Sequence, residues 1–131
     1  MEIRQFRVVI RTRFYERALK FYGKSLALPQ ISDWEREDAR GTVFQAGAGV
    51  LEVVGRLDDD PRRRDEAFDT QGPVEKMRLV FLVPSAQQAY DEAFFRDKNV
   101  PGGLRKDLDG VLIFETHDPD GIRIIFKESQ D

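Results

Sequence analysis

The chain has 131 residues, 40% of them apolar and ten of them Phe, which suits one hydrophobic core rather than two independent ones. With no Cys and a single His, His117, the composition excludes disulfides, thiolate metal sites, cysteine nucleophiles and any site needing several imidazoles from one chain. Net charge is −3, no apolar run is long enough to span a bilayer, and Met1-Glu2-Ile3-Arg4 opens no apolar leader, so a cytoplasmic protein with no nucleic-acid or membrane partner is expected.

From Arg4 to Thr12 the pattern alternates, predicting a strand with Phe6, Val8 and Ile10 on one face. Gln5, Arg7, Val9 and Arg11 share the other. A helix follows over Tyr15 to Leu26. Its apolar stripe is Phe14, Ala18, Phe21, Tyr22 and Ser25, widened by Leu19 and Leu26. Candidate strands follow near Gln30–Arg36, Gly41–Ala46 and Val50–Arg56, the last two joined at Gly47-Ala48-Gly49. That glycine pair has no third glycine and precedes a strand, so it is not a dinucleotide fingerprint. Trp34, the only Trp, is placed in the irregular stretch after the first helix. There it serves either as a rim or core anchor or as a stacking wall for a flat ligand.

A linker is expected over 57–75, where charge is dense and apolar periodicity is lost. Arg62-Arg63-Arg64 could hold a phosphate, but Asp58-Asp59-Asp60 and Asp65-Glu66 largely cancel its field. Beyond it the order repeats. Met77 to Val83 reads as a strand with Leu79, Phe81 and Val83 on one face. Ser85 caps a helix, with Gln88 at capping-box spacing and Ala86, Ala89, Tyr90, Ala93 and Phe94 as its stripe. Strands near Gly103–Asp107, Val111–Thr116 and Ile122–Glu128 follow, with turns at Asp109-Gly110 and Asp118-Pro119-Asp120-Gly121. His117 is read as an exposed turn residue. Because Phe94 and Phe95 are adjacent, one must face outward or into a partner, which favours a homodimer. The result is an α+β chain of two βαβββ modules, about 1–56 and 76–131, read as a single domain.

Three stretches in this order, RALKFYGKSLALP (Arg17–Pro29), GVLEVVG (Gly49–Gly55) and ETHDPDGIRIIFKE (Glu115–Glu128), resemble the vicinal oxygen chelate superfamily, the glyoxalase/bleomycin-resistance/dioxygenase group. The resemblance implies paired modules whose mixed sheets curl into a cup with helices on the outer face. It also implies frequent dimerisation and, in many members, a divalent metal held by four side chains from the first and last strand of each module. Those positions fall here on Arg7, Glu52, Arg78 and Ile125. Arg78 follows Arg7 by 71 residues and Ile125 follows Glu52 by 73, so the two halves carry them over consistently.

Of the four, only Glu52 is a plausible metal ligand: guanidinium is a fixed cation that only donates, and Ile125 has no donor atom. No metal or other cofactor is therefore expected. Arg7, Glu52 and Arg78 are expected to approach each other, either as a structural ion cluster or as an anchor for an anionic or polar-aromatic ligand, with Arg11, Arg123 and Trp34 adding to it. The leading reading is metal-free binding or sequestration of a small molecule. The alternatives are a glyoxalase-type lyase or isomerase with Glu52 as base, weakened by the flanking arginines, and a partner-binding module with a vestigial cup.

Overall fold

The computed structural model describes residues 1–57 and 77–129. Almost all of the expected linker, including Arg62-Arg63-Arg64, lies outside these residues. The chain divides into two compact units, whose boundary falls between the two described stretches.

In unit one the alternation of the first strand sets the whole arrangement. β1 (Arg7–Arg11) pairs in parallel with β4 (Gly49–Arg56). β4 pairs antiparallel with β3 (Ala39–Ala46), and β3 with β2 (Gln30–Glu35), giving the order β1-β4-β3-β2. A parallel pair needs a crossover, and α1 (Tyr15–Lys20) with the turn that follows it begins that connection. One sheet face packs on this helix. Ile10, Leu51, Val53 and Phe44 are buried there with Ala18 and Tyr22, each such burial worth about 1.5–3 kcal/mol for a large apolar side chain. The Tyr15 hydroxyl shares a 2.5 Å hydrogen bond with Thr42 Oγ1 across this interface. Burial of the phenol raises its pKa, opposed by that bond. Gly55 lies under the same ring, where a Cβ would stand 2.8 Å from Tyr15 Cβ.

Two expectations for unit one change. The helical stripe runs to Ser25 as read, but Phe21–Ser25 is a π-helical turn, closed by Leu26 N–H donating to the Phe21 carbonyl at 2.9 Å. Phe6 does not join the core: it is 71% exposed, because the ladder with β4 begins only at Arg7.

Unit two repeats the plan. β5 (Arg78–Val83) pairs in parallel with β8 (Arg123–Glu128), β8 with β7 (Leu112–His117), and β7 with β6 (Arg105–Lys106). α2 (Ala86–Arg96) lies against β7 and β8. Its stripe meets an aromatic layer in which Phe114 stacks on Phe126 at 4.6 Å, with Phe81 and Tyr90 edge-on. Ser85 Oγ accepts from Gln88 N–H at 3.1 Å, the cap the spacing predicted. β6 is shorter than expected because Asp107 turns the chain, its Oδ1 accepting from Asp109 and Val111. His117 is exposed as expected, but it is the last residue of β7, before the turn. Phe94 and Phe95 are both exposed.

Each unit is thus a four-stranded mixed sheet with helix on one face, an α+β arrangement. No described helix is long and apolar enough to cross a membrane.

Candidate functional site

Where helix covers one sheet face, the residues of opposite parity make up the other. In unit one that face carries Arg7, Val9 and Arg11 on β1, then Val50, Glu52 and Val54 on β4, with Val43 and Gly41 on β3 and Ser32 and Trp34 on β2. Its centre is Glu52, whose neighbours across the ladder are Val9 and Val43. Trp34 is not in an irregular stretch: it sits in β2 opposite Gly41. Gly41 leaves room for the indole, since a Cβ there would lie 2.4 Å from Trp34 Nε1. The ring lies across β3 and donates Nε1–H to Glu52 Oε2 at 2.7 Å. Arg36 covers it at 4.9 Å.

The other Glu52 oxygen is 3.4 Å from an Arg7 terminal nitrogen, and the Glu52 side chain is only 13% exposed. Arg7 in turn donates twice to Gln5 Oε1, at 3.1 and 2.8 Å. Arg7, Glu52 and Trp34 are therefore brought together as one network with Gln5. Arg11 shares the face, exposed, with no hydrogen-bond or ion-pair partner among the described residues.

In unit two the same face carries Arg78, Val80 and Leu82 on β5, Arg123, Ile125 and Lys127 on β8, and Ile113, Glu115 and His117 on β7. Ile125 is buried and inert. Glu115 lies opposite it and accepts a short hydrogen bond from Arg123 Nε. Its second oxygen is 3.6 Å from an Arg105 terminal nitrogen. The Arg123 hydrogen bond holds the Glu115 carboxyl below its ordinary range. Burial opposes this, and the charges of Arg123, His117 and Arg105 reinforce it. Arg78 is exposed and has no partner among the described residues.

The registers superpose the modules. Arg7 and Arg78 each stand two residues before the valine that faces the central position of the last strand, Glu52 or Ile125. Trp34 and Arg105 are equivalent edge-strand residues, and each reaches its own module's carboxylate. The carboxylate itself changes strand. In unit one it is on β4 with Val43 opposite; in unit two it is on β7 with Ile125 opposite. Sequence reasoning missed Glu115, Arg105 and Gln5. The available signal was charge at alternating positions of a strand, Glu115 and His117, on the face that a helix leaves uncovered.

This chemistry does not fit the metal site that the fold implies. The four positions offer two guanidinium groups, one alkyl side chain, and one carboxylate with both oxygens beside protein donors. Among the described residues no three His, Asp or Glu side chains converge.

No protein-family model and no curated protein sequence matches the chain. Solved structures do, over nearly its full length. A glyoxalase/bleomycin resistance protein from Catenulispora acidiphila superposes with a TM-score of 0.66 at 20% identity, covering 95% of this chain and 97% of the other. The YycE protein of Bacillus subtilis, a putative glyoxalase/fosfomycin resistance protein of unknown function, gives 0.67 at 23%, covering 97% and 90%. A lactoylglutathione lyase from Agrobacterium tumefaciens gives 0.66 at 16%, covering 99% and 96%. The chain therefore has the vicinal oxygen chelate fold.

Proposed function

We propose that the protein binds a small anionic or polar-aromatic molecule on the arginine-bearing, helix-free face of a sheet, without a metal. The observation that carries this reading is an imbalance of charge. In unit one that face holds Arg7 and Arg11 against Glu52, and in unit two it holds Arg78, Arg105, Arg123 and Lys127 against Glu115 and Asp107; Arg11 and Arg78 have no partner among the described residues. Guanidinium offers a planar fork suited to carboxylate or phosphate, and Trp34 presents a ring held by its own hydrogen bond.

Glu52 is poorly placed to act as a lyase or isomerase base. A base needs an oxygen free to reach the substrate proton, and both oxygens here are engaged by Trp34 and Arg7. Two measurements test the proposal. A thermal-shift screen should return anionic and polar-aromatic hits that Arg78→Ala weakens; hits confined to cationic compounds, unaffected by that substitution, would refute it. Calorimetric titration with Ni²⁺, Zn²⁺, Mn²⁺ and Fe²⁺ should show no tight binding. Stoichiometric sub-micromolar binding lost in Glu52→Ala would overturn the metal-free part.

A further inference from the structure

His117 takes no part in the site as the sequence drew it, yet the ladder of unit two sets it in a row. Arg78 on β5 is in register with Arg123 on β8, and Arg123 with His117 on β7. All three are exposed and share the helix-free face. Adjacent strands lie about 4.8 Å apart, so the row spans about 10 Å of backbone, within reach of one small ligand group. Glu115 occupies the Nε of Arg123, which leaves that guanidinium's terminal nitrogens as donors. Histidine offers a ring N–H in either protonation state.

Charge on this face narrows the ligand. Arg78, Arg105, Arg123 and Lys127 stand against the carboxylates of Glu115 and of Asp107, which pairs with Lys127 at 3.2 Å, an excess of two positive charges without His117. A monoanion would leave half of it unanswered. Next to Arg78 on the same strand and face, Val80 and Leu82 are 46% and 68% exposed, an apolar shelf continuous with the cationic row.

We infer that the Arg78–Arg123–His117 row anchors a dianionic oxyanion carried on an organic body, in chemical terms a phosphate monoester. Arg78 and Arg123 grip its oxygens and His117 donates a third hydrogen bond. The organic body lies along Val80 and Leu82. The inference rests on the proposed function and adds the charge and class of its ligand.

Calorimetry with phenyl phosphate, inorganic phosphate, benzoate and benzylamine tests it, on the wild-type chain and on Arg78→Gln, His117→Gln, Arg11→Gln and the control Lys98→Gln. Melting curves confirm that these surface variants fold. Phenyl phosphate should bind best. Inorganic phosphate and benzoate should each be weaker by about tenfold, and benzylamine should not bind. Arg78→Gln and His117→Gln should each weaken phenyl phosphate by about tenfold, and Lys98→Gln, an exposed position in the turn after α2, should not. Benzoate binding as tightly as phenyl phosphate, or phenyl phosphate affinity unmoved in both Arg78→Gln and His117→Gln, overturns the inference. If Arg11→Gln alone abolishes anion binding, the inference fails while the proposed function stands. If the wild-type chain binds no anion, both fail. Inorganic phosphate binding as tightly as phenyl phosphate removes the Val80–Leu82 shelf.

Discussion

Gly41 and Trp34 show how little separates a packed side chain from a displaced one. The indole occupies the space a Cβ would take, so Gly41→Ala must push the ring away from Glu52 Oε2. We expect a loss of about 1–3 kcal/mol in urea unfolding, the usual range for overpacking, with a shift in the emission of this single Trp. Unchanged emission would mean that the ring is not held there. Glu115 gives the prediction that depends on pH. Its carboxyl is held below the ordinary value of 4.5 in the folded chain. The contribution is therefore complete above that value and is lost as pH falls below it. Glu115→Gln should flatten the acid side of the stability profile below about pH 4.5 relative to wild type. Parallel profiles would show that the Arg123 bond contributes nothing. At this scale Arg7, Arg11 and Glu52 were legible, because parity along a strand decides which face a residue takes. The partners of Glu52 and Glu115 were not, because cross-strand register is absent from a single sequence.

Among the elements, those with a local cause were read most closely. α2 begins where Ser85 caps it and runs the length its stripe allows. Ser85→Ala should cost about 1 kcal/mol in chemical denaturation, and no loss would show that the cap is redundant with the Glu128 carboxylate, which accepts from Ala86 N–H at 3.1 Å. The DPDG turn was equally local: Asp118 Oδ1 accepts from Asp120 and Ile122 N–H groups at 2.9 and 2.8 Å. Elements with a non-local cause were misjudged. Phe6 continues the alternation of β1, but it lies beyond the ladder that would have buried it. The π turn keeps Phe21, Tyr22 and Ser25 buried as a helical stripe predicts. Its wider hydrogen-bond ring answers to packing against the sheet, where Gly23 meets Phe44, and periodicity does not register it.

Over the whole chain, the repeat of βαβββ order was legible from the two matching strand–helix–strand patterns, and the structural neighbours agree with it. The four site positions came from the family resemblance, and the repeat carried them over consistently between the halves. What the repeat concealed was the exchange of the carboxylate between strands. Glu52 and Val43 in one module correspond in space to Ile125 and Glu115 in the other. A residue-by-residue comparison of the halves counts two mismatches there, acid against aliphatic and aliphatic against acid. Taken as a cross-strand pair, they are one acid and one aliphatic side chain in both halves, written in opposite order. Comparing rungs of the ladder rather than single positions therefore brings the two halves of this surface into agreement.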